Sequence, residues 1–279
     1  MVGTPDEWAN RFSKKLELEG VSPNTARTCL ASVRLFLLWY PTFTRKNLES
    51  YRTRLIAERK PSTVNTRIYG MNCFLRHFGR EMPLIGTFSL PYVSLQRKPF
   101  LDRIISQAQY ERLRAYLSRQ PNQIWYFIVR FLCATGMRIS ELLQIKVEHI
   151  KMGYMDLYSK GGKLRRVYFP DSLCEEAFVW LDARDIKTGF VFTGCSGKVL
   201  SARWINSRLK QFAGECHVPA EVVYPHSFRH RFAKNFLQRC SDIALLADLL
   251  GHDHIETTRI YLTRSSEELH ELIDRIVVW

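Results

Sequence analysis

The sequence predicts a mainly α-helical chain of two domains, with one small antiparallel β-sheet in the second. Three observations predict it. Apolar residues recur at three- and four-residue steps through most of the 279 residues. That periodicity lapses between about 83 and 105, where Pro83, Gly86, Pro91 and Pro99 break any helix. A short β-hairpin, with no strands for a larger sheet, is readable around the turn Lys160-Gly161-Gly162-Lys163. Residues 1–90 are expected as a helical bundle, 91–105 as a linker and 106–279 as a larger mixed domain.

Each element has its own signal. Trp8, Phe12 and Leu16 form one face of a first helix. Ser22-Pro23 starts a second, with a capping hydroxyl and a proline in the first turn, and Cys29, Val33, Phe36 and Leu37 follow. Leu48, Tyr51 and Leu55 mark a third. Pro61-Ser62 opens a fourth, with Ile68, Met71, Leu75 and Phe78, closed by Gly79. In the second domain, helices are expected near 107–119, 123–134 and 139–146. The hairpin strands are Met155–Tyr158 and Arg166–Phe169, and helices follow near 171–183, 201–214, 226–240, 242–250 and 265–277. No glycine-rich phosphate loop is present, which argues against a nucleotide cofactor.

Charge narrows the partner. The chain holds 41 Lys+Arg and 27 Asp+Glu, a net +14. Residues 1–95 carry 14 basic and 7 acidic groups, so each portion bears half the excess. A long polyanion gripped from two sides fits that distribution, and a lone basic tail does not. In the first domain Arg27, Arg34, Lys60 and Arg67 are candidate contacts to nucleic-acid phosphates; a merely solvated face is the competing reading. No apolar run approaches the ~18–20 residues of a membrane span. The start, MVGTPDEWANRF, lacks the pattern of a secretory signal. Seven widely spaced cysteines, without C-x-x-C, exclude a disulfide or zinc-finger framework and point to the cytoplasm.

Chemistry concentrates in three segments. In PHSFRHRFAKNFLQRC, Phe228, Phe232, Ala233, Phe236, Leu237 and Cys240 share one side of a helical wheel. Arg229 falls near the middle of that apolar face, with His226 one turn before it. A guanidinium aimed at a core is costly unless paired, so a buried carboxylate partner is the alternative to a functional target. In FLCATGMRISELL, Gly136 can end a helix in a left-handed cap, Arg138 follows, and Glu141 is three residues on. In LLADLLGHDHIETTRIYL, Gly251 ends a helix, His252 follows, and Tyr261 comes nine residues later. Singly, each reads as an ordinary core or surface residue.

In order, the series Arg138, Lys160, His226-x-x-Arg229, Gly251-His252 and Tyr261 resembles the tyrosine recombinase (phage integrase, Xer-like) family. TGMRISELL, HSFRHRFA, LLGHDHIETTRIY and the step from His226 to His252 carry the resemblance, which covers essentially the whole chain. SPNTARTCLASVRLFLLWY resembles the entry helix pair of the family's core-binding domain. Residues from about 106 resemble its catalytic domain.

The resemblance implies a site-specific recombinase that cleaves and rejoins DNA through a 3′-phosphotyrosine. Tyr261 would be the nucleophile. Arg138 and Arg229 would clamp the non-bridging oxygens, whose charge grows in the transition state. His226 would accept or share the tyrosine proton, since tyrosine titrates near 10. Lys160 would protonate the leaving 5′ oxygen, with Lys163 three residues away on the same turn. His252 would donate to the phosphate, and Glu141 would hold a histidine or an arginine. No metal or other cofactor is expected, because the arginines supply the positive charge. The expected partners are double-stranded DNA with paired half-sites and three further copies of the chain, assembled by exchange of a C-terminal helix; no membrane is expected. The place of action would be the cytoplasm, on the nucleoid. A type IB topoisomerase, a non-catalytic DNA-binding relative and an unrelated basic helical regulator are the competing readings.

Overall fold

The computed structural model describes residues 4–82, 85, 87–94, 104–158, 164–252, 255–262 and 273–277. The chain divides into two compact units, Met1–Lys98 and Pro99–Trp279.

The first unit is built of α1 (Pro5–Leu18), α2 (Pro23–Trp39), α3 (Arg45–Glu58) and α4 (Pro61–Phe78). Side-chain oxygens of Thr4, Ser22 and Thr44 accept the free amides at the starts of α1, α2 and α3. Pro23 and Pro61 occupy first helical turns, where a missing N–H costs nothing. The apolar stripes meet in one core that includes Phe12, Leu16, Val33, Phe36, Tyr51, Ile68 and Phe74. Gly79 does not stop α4 with a left-handed cap: it stays right-handed and runs into a 3₁₀ turn, Gly79–Glu81.

The stretch around Pro91, at the start of the expected linker, is bonded to the first unit. Asn72 pairs with the backbone of Leu90 through both its amide and its carbonyl, and Asn65 does the same for Val93. Arg52 donates to Pro91 O. These side chains satisfy an extended backbone that would otherwise need water, and so hold it on α3 and α4.

The second unit centres on α6 (Ile124–Thr135), which is buried along most of its length and packs against α11 (Pro225–Arg239). Around them lie α5 (Gln107–Leu117), α9 (Asp171–Asp182) and α10 (Ala202–Glu215). The helix expected over 139–146 is only the short α7 (Ile139–Leu142); a separate α8 (Val147–Met152) follows beyond those bounds. The break has a cause. Lys146 is extended and bridges Phe190, with flanking bonds from Val191 N to Ile145 O and from Val147 N to Gly189 O.

Strands β1 (Tyr154–Tyr158) and β2 (Leu164–Tyr168) form the expected antiparallel hairpin, with Leu157 opposite Arg165 and Asp156 opposite Arg166. Its turn, with Lys160 and Lys163, lies outside the described residues. After α12 (Ile243–Leu250) comes α13 (Glu256–Arg259), too short to show periodicity, and a 3₁₀ turn at Ile260–Leu262. Of the helix expected over 265–277, only 273–277 are described; 273–276 are helical.

Candidate active site

Arg229 is the hub. It is 3% exposed, as its place on the apolar face of α11 requires. Among the described residues no carboxylate bonds it. Instead its Nη1 donates to Gly136 O at 2.8 Å and its Nη2 to Leu250 O at 2.7 Å. Both carbonyls stand at helix C-termini, where they lack intrahelical partners and carry the negative end of the dipole. Gly136 and Gly251 cap α6 and α12 in the left-handed region, each with φ of 63°. Neither position has room for a side chain: a Cβ on Gly136 would collide with the Phe232 ring, and one on Gly251 would lie 2.5 Å from Arg165 Cδ. Two tight caps therefore converge on one buried guanidinium.

Arg229 Nη2 also lies 2.9 Å from His252 Nε2. A guanidinium only donates, so Nε2 is the acceptor and the ring proton sits on Nδ1. Nδ1 then donates to the buried Thr258 hydroxyl at 2.7 Å. Burial, and then the positive charges of Arg229, Arg138 and Arg165, push His252 down to about 4. Burial likewise lowers Arg229 to about 10, still charged at neutral pH.

Arg138 lies at the start of α7. Its backbone N–H and its Nη1 both bond the Glu141 carboxylate at 2.7 Å, and its Nη2 reaches Gly251 O at 3.3 Å. Its side chain is 39% exposed, so part of the guanidinium faces solvent. Glu141 therefore holds an arginine. It also holds a second one that sequence reasoning missed. Arg165, on β2, bonds both Glu141 oxygens at 3.1 and 3.2 Å and donates from Nε to Leu249 O at 2.9 Å. Its Nη2 is buried with no partner among the described residues. Burial acts to raise Glu141, but Arg165 and Arg138 outweigh it and hold the carboxyl below its usual range.

Tyr261 is 7% exposed and packs with Ala233, Leu246 and Leu250. Burial raises its phenol, opposed by the Arg229 charge. The imidazole at its hydroxyl is His230, with Nδ1 at 2.9 Å from Oη. The sequence reading gave that place to His226. His226 lies one turn earlier on α11, its ring centroid 6.3 Å from that of His230. Burial, then Arg229 and Arg138, lower it. The signal for His230 was present: in HSFRHRFA the two histidines are four apart, on one helix face. Thr258 gave no comparable signal.

Within the first unit, Arg27, Arg34, Arg59 and Arg67 line a groove of about 480 Å³ between α2 and α4, with Leu38 and Thr63. Lys60 is exposed but does not line it. Among the described residues, no group of three His, Cys, Asp or Glu side chains could hold a metal ion, and no helix is long and apolar enough to cross a membrane.

This geometry meets an independent finding. Residues 103–268 match the Phage integrase family. The chain belongs to that family. It is similar to the tyrosine recombinase XerD of Staphylococcus saprophyticus, 31% identical over 153 residues, 52% of each chain. In that match and its counterparts from other staphylococci, the chain spans about half the length of the relative. Against the tyrosine recombinase XerA of Pyrococcus furiosus it is 26% identical over 278 residues, 96% of this chain and 93% of the other. Its fold is similar to that of the XerH site-specific recombinase bound to a palindromic difH substrate, with a TM-score of 0.72 at 17% identity over 94% of this chain and 84% of that one.

Proposed function

We propose that this chain is a site-specific DNA recombinase that cleaves and rejoins strands through a 3′-phosphotyrosine at Tyr261. One observation carries the reading. Arg138, Arg229, His252 and Tyr261, brought from four separate elements, gather about the capped ends of α6 and α12. That assembly is cationic, with a phenol beside it. It suits an oxyanion that gains charge as the phosphorus becomes pentavalent.

Arg138 and Arg229 clamp the non-bridging oxygens in this reading. A guanidinium has five N–H donors, and Arg229 engages only part of them with carbonyls and His252. The arginines supply the charge that a metal would otherwise bring. His226 and His252 serve the same phosphate. For His252 that requires its Nε2 to leave Arg229 and gain a proton, which the anion favours. Lys160 protonates the 5′ oxygen, with Lys163 as the competing residue on that turn. Because the phosphotyrosine conserves the bond energy, religation needs no nucleotide.

The groove of Arg27, Arg34 and Arg67 supports a phosphate-tracking surface on α2 and α4, and the exposed Lys60 is proposed to add to it. The similarity to a recombinase described as bound to its DNA substrate supports duplex DNA as partner. The assembly proposed is a homo-tetramer on paired half-sites, joined by C-terminal segments. Ile273, Ile276 and Val277, apolar yet about half exposed, support that choice. The place of action proposed is the cytoplasm, on the nucleoid.

The test is a duplex nicked just beyond the cleavage point, which traps the covalent intermediate. Wild-type protein should become attached to DNA in EDTA without nucleotide, and Tyr261→Phe should bind equally and attach none. Adduct at the wild-type rate from the phenylalanine variant would remove Tyr261 from this role.

A further inference from the structure

We infer that His230 is a catalytic residue, the base that takes the Tyr261 hydroxyl proton during attack and returns it on religation. The inference rests on the recombinase reading above and deepens it at one atom. Nδ1 lies 2.9 Å from Oη, within the reach a general base needs. The rings are 5.4 Å apart at 55°, so the contact runs edgewise through the polar atoms and is not a stacking contact. His230 comes from α11, next to Arg229, whereas Tyr261 comes from a 3₁₀ turn 31 residues later. One helix therefore presents both the buried cation and the acceptor.

The other histidines have different settings. His252 spends Nε2 on Arg229 and Nδ1 on Thr258. His226 is one helical turn from His230, near the front of α11.

The proton balance is closed. As the Oη–P bond forms and the P–O5′ bond breaks, the Oη proton passes to His230 Nδ1. The departing 5′ oxygen takes a proton from the hairpin lysine. On religation the 5′ hydroxyl attacks phosphorus and gives its proton back to the hairpin lysine, while Oη leaves and takes back its proton from Nδ1.

The electrostatics make this base responsive to DNA. The described groups that bear on His230 include Arg229 and His226 on its own helix, Tyr261 from the 3₁₀ turn and His252 from the segment after α12. Burial, then His226 and Arg229, hold it down at about 4 in the free protein. It is therefore neutral and able to accept. A bound phosphodiester adds negative charge beside Arg229 and stabilises the imidazolium. The base strengthens when substrate arrives.

The experiment is single-turnover adduct formation on the nicked duplex from pH 5 to 9. Wild type, Tyr261→Phe, His230→Gln and His230→Ala are compared, with melting temperature and DNA binding measured alongside. Wild type should show a rate rising to a plateau. His230→Gln should lose roughly 100-fold or more in rate, lose the plateau, and climb with hydroxide. Added imidazole should restore part of the rate of His230→Ala, which a purely structural role would not allow. A folded His230→Gln with the wild-type rate and pH profile would overturn the inference, as would an Ala variant indifferent to imidazole. Should both variants unfold, the ring ¹⁵N shifts of His230 in the intact fold decide. They should change on Tyr261→Phe, and unchanged shifts sink the assignment. Wild type giving no Tyr261-dependent adduct would instead sink the recombinase reading, and this inference with it.

Discussion

Arg229 shows how a single residue can be both buried and poised. Its charge is compensated by two helix-end carbonyls and a neutral imidazole, which orient the fork without neutralising it. Arg229→Lys should therefore fail where charge alone would suffice, because one ammonium cannot hold both carbonyls and face a phosphate. We expect roughly 100- to 1000-fold slower cleavage, with DNA affinity changed far less, as read by single-turnover and filter-binding assays. A parallel loss of binding would place Arg229 in grip.

The histidines give a second expectation. His230 and His252 are pushed from an ordinary ~6.5 to about 4 on folding. Between those values the unfolded chain binds more protons, so stability rises with pH. It is complete above about 6.5 and is lost as pH falls toward about 4. The melting temperature of free protein should drop on that limb, and His252→Gln should flatten it.

The burial of Arg229 was legible, because a wheel places it among Phe228, Phe232 and Phe236. Its partners were not. A wheel shows which way a side chain points but not which helix ends it meets, and the carboxylate expected as its alternative is replaced by carbonyls. The contact between His230 and Tyr261 is likewise set by tertiary packing.

At the scale of elements, the site depends on where helices stop. The caps at Gly136 and Gly251 were readable from sequence, since glycine followed by Arg138 or His252 marks an abrupt end. Strand β2 was harder. Arg165 and Arg166 are adjacent arginines, and pairing register alone decides their fates. Arg166 takes Asp156 on the exposed side, while Arg165 turns to Glu141 and Leu249. That strut joins the hairpin bearing Lys160 to the caps. Breaking a buried pair on one side costs about 3 kcal/mol or more, so Arg165→Met should lower stability on that scale in urea unfolding. The loss should shrink when Glu141→Gln is already present. Additive losses would mean the two side chains do not act as a unit. Gly251→Ala should injure the same strut, since its Cβ would meet Arg165 Cδ. Its cleavage should fall toward that of Arg165→Met.

Across the whole molecule, the net +14 is shared between both units. Binding that depends on phosphate neutralisation by each should fall steeply as salt rises, through counterion release. Arg27→Ala with Arg34→Ala and Arg67→Ala should lower the salt slope by about 1 for each phosphate no longer neutralised. Assembly belongs to this scale too. Residues 266–279 include the exposed Ile273, Ile276 and Val277. Removing them should leave half-site binding but abolish cooperative assembly on two sites, measured by cross-linking and size exclusion. A truncated chain that assembles like the full one would leave this segment no role between copies.

The central claim is that Tyr261 becomes joined to DNA, and one measurement addresses it most directly. Protein trapped on the nicked duplex in EDTA is digested with nuclease and trypsin, and the nucleotide-bearing peptide is sequenced by mass spectrometry. Cleavage after Arg259 and Arg264 releases residues 260–264, with Tyr261 their sole tyrosine. The account predicts the nucleotide on Tyr261 through its 3′ phosphate, with a free 5′ hydroxyl on the other strand end. A nucleotide on any other residue, or a 5′ linkage, contradicts it.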